Sequence, residues 1–183
     1  MDSKDWLQII DLGFKLITLI VVIISARIAY NTLKKSHEWN RRKSTQEVLR
    51  DLVLGDYPKY SKVLLDNGIK VFLKTETYSN SLDAIADDKK EEIINATKSI
   101  FNLFEFIAIN IKNNSIDEDI CYDYLGWMYT AYYNWGIEYI KTERLKANDD
   151  FRVLGNFEER AKIWCSRLEK ERKPNMIEGK PKL

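Results

Sequence analysis

The sequence predicts an all-α protein: one N-terminal transmembrane helix continuing into a cytoplasmic helical bundle of about four to six helices. Three observations carry this expectation. Helix breakers are scarce, with Gly 7 and Pro 3, while Lys, Glu, Leu and Ile abound. Apolar residues from Ile93 through Ile94, Ala96, Ile100, Leu103 and Phe104 to Ile107 recur at helical spacing. Near the N-terminus, Leu16 to Ala26 reads LITLIVVIISA without a charge.

The charge-free run is too short to cross ~30 Å of hydrocarbon at ~1.5 Å per residue. The wider window 7–30 is long enough, and its polar residues sit near its edges: Asp11 and Lys15 at one, Arg27 at the other. Lys15 and Arg27 can run their stems along the helix and place their charges at the headgroups. Trp6 and Tyr30 stand where amphipathic rings favour the interface. A buried core helix would need a polar stripe only if half-buried, and Leu16 to Ile24 is apolar all round apart from Thr18. A signal peptide would open on basic residues, yet Asp2, Asp5 and Asp11 outnumber Lys4, and no A-x-A site follows.

Arg27, Lys34, Lys35, Arg41, Arg42 and Lys43 follow the span. Positive charge stays inside, so a single pass with the N-terminus outside and the C-terminal domain cytoplasmic is expected. Abundant Ile, Lys and Asn suit an AT-rich bacterial genome, which makes a bacterial inner membrane the expected location. Two cysteines far apart, Cys121 and Cys165, with no CxxC, fit a reducing compartment by an independent route. Basic and acidic residues nearly cancel, 29 against 28, which disfavours nucleic acid as a partner.

The chain then divides into a short extracytoplasmic N-terminus 1–6, the span 7–30, a helical stalk 31–54, a helical domain 55–172 and a flexible tail 173–183. No Gly or Pro interrupts residues 15–54, so the first helix is expected to continue until Gly55-Asp56-Tyr57-Pro58 breaks it. Tyr60 to Phe72 predicts a short helix with a break at Asn67-Gly68, and Lys74 to Asp83 a polar loop. A helix from Asp87 or Asp88 to Lys112 ends at Asn113-Asn114. Ser115-x-x-Glu118 fits a capping box for an aromatic-rich helix reaching Ala147. Asn148-Asp149-Asp150 is a turn, and Phe151 to Glu171 a last helix, interrupted at Gly155.

An N-terminal span, then Trp39-Asn40-Arg41-Arg42-Lys43-Ser44-Thr45, then Asn102-Leu103-Phe104-Glu105-Phe106-Ile107-Ala108, then a helix start at Ile116-Asp117, resembles the DUF4760-type proteins of bacteria and phages. The resemblance covers about 12 to 168. It implies an anchored helical domain in a setting of mobile-element or phage-defence genes, and supplies neither an activity nor catalytic residues.

Four groups of residues are candidate sites. Glu105 lies among apolar neighbours, where a carboxylate is costly unless paired. It is either a buried acid able to move protons or a partner of Arg41, Arg42 or Arg144; it can also sit on a narrow polar face with Lys98 and Asn102. Tyr124, Trp127, Tyr132 and Trp135 belong to a run too aromatic for one helix face to bury, and mark either a partner or self-association surface or a central core helix. Arg41, Arg42 and Lys43 are candidates for phosphate or lipid headgroups, or serve as topology signal and salt-bridge partners. Asp11, Lys15 and Arg27 form polar membrane edges; Asp11 and Lys15, four apart, can pair.

No phosphate loop, dinucleotide fingerprint, HExxH or GxSxG is present, so neither an enzyme nor a cofactor or metal site is expected. The leading expectation is a membrane-tethered interaction or sensing module whose partners are the bilayer and a protein. The alternatives are an oligomerising effector that perturbs the bilayer and a carboxylate-based hydrolase around Glu105.

Overall fold

A computed structural model describes the backbone of residues 3–73 and 75–172 and, from Leu12 onward, their side chains. The tail 173–183 and the side chains of Trp6 and Asp11, with the expected Asp11–Lys15 pair, lie outside the described residues. The described residues are helical, with no strand: α1 Ser3–Asp51, α2 Tyr57–Asp66, α3 Tyr78–Asp83, α4 Asp87–Lys112, α5 Glu118–Lys146 and α6 Gly155–Arg172. A π-helical turn, Leu52–Asp56, separates α1 from α2. The chain forms two compact units, Met1–Arg41 and Arg42–Leu183.

In the first unit, every large apolar side chain from Leu12 to Leu33 is exposed. An 18-residue window there has mean hydropathy 2.1 and no buried residue, so α1 is long and apolar enough to cross a membrane. Its threonines suit such a setting. Thr18 Oγ1 donates to the Phe14 carbonyl at 2.8 Å and, beyond the expected span, Thr32 Oγ1 to Ile28 at 2.9 Å, so both hydroxyl protons are bonded within the helix.

The second unit begins with the closing turns of α1, where Thr45 and Leu49, with Leu52 at the start of the π-helical turn, recur at helical spacing and are buried. The expected break follows: Gly55 leaves the helical region (φ −101°, ψ −113°), and Pro58 occupies the first turn of α2, where its missing N–H costs nothing. Helix α2 ends at Asn67 and Gly68, whose φ of 77° suits glycine, so the expected 60–72 helix starts and stops earlier.

The expected polar loop 74–83 contains α3 instead. The Thr77 side chain accepts from the Asn80 N–H, and Ser81 is buried with its Oγ accepting from Trp135 Nε1 at 3.1 Å. A cap and a tertiary hydrogen bond override a sequence with little helical periodicity. The start of α5 also differs. Its cap is Asp117, which accepts from the Ile120 N–H, in place of a Ser115–Glu118 box. Because Glu118 is then the first residue of the helix, it cannot reach back as a box glutamate does.

The stripe Ile93, Ala96, Ile100, Phe104, Ile107 and Ile111 of α4 packs into one core with α5 and α6. Trp135, Trp164, Tyr129 and Phe157 are the bulk of that core. At Gly136, where α5 kinks, a Cβ would stand 2.1 Å from Cζ of Phe101, so the Phe101 ring requires glycine there. The last break lies at Leu154, one residue before the expected Gly155. Leu154 takes the left-handed conformation (φ 54°), and its side chain is buried.

Candidate functional site

The four aromatic candidates on α5 divide into two pairs. Tyr132 and Trp135 are each 2 % exposed and belong to the core, so neither can face a partner in the folded domain. Tyr132 packs edge-on to Phe104 at 5.4 Å, and Trp135 edge-on to Tyr78 at 5.3 Å. Burial, then electrostatic coupling to the neighbouring Tyr57 phenol, raises the Tyr132 phenol far above its ordinary value. Tyr124 and Trp127, three apart and therefore neighbours on the helix surface, are 69 % and 58 % exposed.

Trp127 does not stand alone. The Phe72 ring lies 4.9 Å from it, and Phe72 also meets Tyr132 at 6.0 Å. Phe72 belongs to the segment after α2 and is not among the residues that sequence pattern marks as a candidate site. It borders a groove of about 490 Å³ formed by α2, that segment and, from α5, Tyr132. Leu64, Ile69 and Val71 are buried along it, while Leu65, Phe72 and Leu73 are exposed on it. The charged side chains lining it are Lys62 and Lys70. Leu65, Phe72 and Leu73 are thus exposed apolar side chains lining one groove, with Trp127 packed against Phe72.

Glu105 is half-buried. Its Oε2 accepts from the Phe157 N–H at 2.7 Å, and its Oε1 from Asn156 Nδ2 at 2.6 Å and the Asn156 N–H at 3.4 Å. The carboxylate thus caps the N-terminus of α6 from a different helix, where unpaired N–H groups and the helix dipole favour negative charge. The described hydrogen bonds of Arg144 go instead to Glu158 at 2.6 Å and to the Val153 carbonyl at 3.0 Å. Burial raises the Glu158 carboxyl, but hydrogen bonds from Lys162 and Arg144 outweigh it and hold the group below its ordinary value.

Near α6 a wider cleft of about 780 Å³ contains Lys112, Arg144, Arg152 and Lys162. Each has a partner: Asn156 for Lys112, Glu158 for Arg144 and Lys162, Asp150 for Arg152. Among the basic candidates, Arg42 and Lys43 are exposed and Arg41 is half-buried, so the three do not share one solvent face. Lys43 lies 4.0 Å from Glu47. Lys15 and Arg27 are exposed in the first unit.

The remaining acids at the start of α5 also join helices. Glu118 accepts from Arg160 and from Trp164 Nε1, and Asp119 pairs with Arg167 at 2.8 Å. Thr45 Oγ1 accepts from the Asp117 N–H at 2.6 Å, which ties the end of α1 to the start of α5. Cys121 is buried, and burial followed by the charges of Asp117 and Glu118 pushes its thiol up to about 12, well away from a reactive thiolate. Among the described residues, no group of three or more His, Cys, Asp or Glu is placed to share a metal ion.

The family model described as a domain of unknown function, DUF4760, matches residues 10–164. No curated protein and no solved structure matches the chain.

Proposed function

We propose that the chain, which belongs to the DUF4760 family, is a membrane-tethered helical module that binds a partner protein at the cytoplasmic face. One observation carries the reading: the Phe72–Trp127 pair and its neighbours Leu65 and Leu73 stay exposed on a domain whose remaining aromatics are largely packed inside. Leaving that apolar surface in water is unfavourable at roughly 25 cal/mol per Å², so a surface of this kind gains by being covered. The first helix supplies the tether. The charges after it favour an orientation with the N-terminus outside, and the family resemblance favours a bacterial inner membrane. A place among bacterial or phage conflict systems rests on the family resemblance alone and adds no mechanism.

The test is a photoreactive amino acid placed at Trp127 in the full chain, in cells, with Leu145, which is 67 % exposed, as the control position. A discrete adduct from position 127 that vanishes with Leu65→Asp supports the module. Identical adducts from both positions, or an adduct indifferent to Leu65→Asp, sink it.

A further inference from the structure

Resting on the interaction-module reading, we infer that the groove's occupant is an amphipathic helix of a partner protein, with apolar anchors and acidic residues beside them. The argument starts from charge. Lys62 and Lys70 are both exposed and are the charged side chains lining the groove; no carboxylate lines it among the described residues. An acidic segment is steered to that rim, and a basic one is repelled.

Dimensions agree with a helix. The ten residues of α2 make a wall of ~15 Å. Anchors at i, i+4 and i+7 of a docked helix span ~10 Å, within that wall. The floor is apolar and buried, at Leu64, Ile69 and Val71, and the rim carries Leu65, Phe72 and Leu73. Phe72 lines the groove and the exposed Trp127 packs against it, and aromatic rings of this kind dominate interface energetics.

Two other occupants fit less well. A second copy meeting this one across a two-fold axis would bring Lys62 and Lys70 against their own counterparts, and like charges oppose each other there. An acyl chain needs a pocket that surrounds most of its surface, whereas here large rim side chains face solvent.

The experiment uses the full chain in phosphatidylcholine nanodiscs and two labelled synthetic helical peptides with the same leucine spacing. One carries glutamates beside its leucines, the other lysines. Fluorescence anisotropy reads the binding. The glutamate peptide binds about tenfold more tightly at low salt, and the preference shrinks as salt screens it. The double variant Lys62→Glu, Lys70→Glu reverses the preference, and Leu65→Asp weakens both peptides. Equal binding of the two peptides, or a preference that survives the charge reversal, overturns the inference. So does a photoadduct at position 127 whose mass is that of a lipid or of a second copy. If the peptides fail while a distinct protein adduct persists at position 127, the acidic-helix chemistry falls and the module stands. If both fail, the module falls too.

Discussion

Replacing Glu105 separates a structural carboxylate from a chemical one. In Glu105→Ala, the Phe157 N–H, the Asn156 N–H and the Asn156 amide lose their acceptor, and Phe157 is fully buried. Losing a cap costs roughly 0.5–2 kcal/mol, and the charge at a helix N-terminus adds about 0.3–1 kcal/mol. The contact at 3.4 Å is long and adds little, so about 2 kcal/mol is expected for Glu105→Ala. Glu105→Gln keeps one carbonyl acceptor and loses the other oxygen and the charge, so roughly half that loss follows. For a domain of this size, 2 kcal/mol lowers Tm by about 6–10 °C. Thermal unfolding of the detergent-solubilised chain, followed by near-UV circular dichroism, measures it. Asn156→Ala combined with Glu105→Ala then loses less than the sum, because the two share a bond. A Glu105→Gln protein of unchanged Tm that is functionally dead would refute this reasoning and return Glu105 to proton chemistry.

Gly136→Ala forces a methyl into the Phe101 ring at 2.1 Å, and costs at least the ~1–3 kcal/mol of an overpacked core; chemical denaturation reads it as a lower midpoint. Glu158 is held below its ordinary 4.5, so its contribution is present above that pH and is lost as pH falls through the folded-state value; an acid titration should show unfolding beginning below about 4.5, shifted by Glu158→Gln. Cys121 behaves in the opposite direction. Its thiol rises from 9.0 to about 12 on folding, so the unfolded chain releases that proton first and stability falls as pH climbs from 9 toward 12; Cys121→Ala flattens that limb. A cysteine introduced at exposed Glu159 in a Cys165→Ser background is labelled by an impermeant maleimide only in permeabilised cells, and labelling in intact cells would reverse the proposed topology.

Much of the helical framework is legible in the residues, because its signals are local. The apolar run of α1, the Gly55–Pro58 break, the stripe of α4 and the Asn148–Asp149 turn each follow from chemistry within a few residues. What is not legible depends on distant partners. Helix α3 is held against α5 by the hydrogen bond from Trp135 to Ser81, and nothing in TETYSNS announces that. Leu154 accepts a left-handed backbone because its side chain is buried, so the adjacent glycine misplaces the break.

The site was readable in the same partial way. An aromatic helix too rich for one core face signals that some rings must be elsewhere, and helical spacing pairs Tyr124 with Trp127. Which rings face outward depends on where α3 and α4 pack, so the sequence leaves both readings open, and Tyr132 and Trp135 follow the core-helix one. Phe72 was hidden in a segment that reads as the tail of a helix; its exposure beside Trp127 follows only from the early end of α2 at Gly68. Glu105 stands out in the sequence as a carboxylate among apolar neighbours. Its partners are backbone N–H groups of α6, which sequence spacing does not reveal.

Oxidative footprinting of the aromatic side chains, in native membranes and again after purification in detergent, asks most directly whether the groove is covered. Phe72 and Trp127 should be shielded in membranes and become reactive once purified, while Phe151, 77 % exposed on another face, reacts equally in both. Equal reactivity of Phe72 and Trp127 in the two states would mean that nothing covers the groove or the ring packed beside it, and the interaction-module reading would fail.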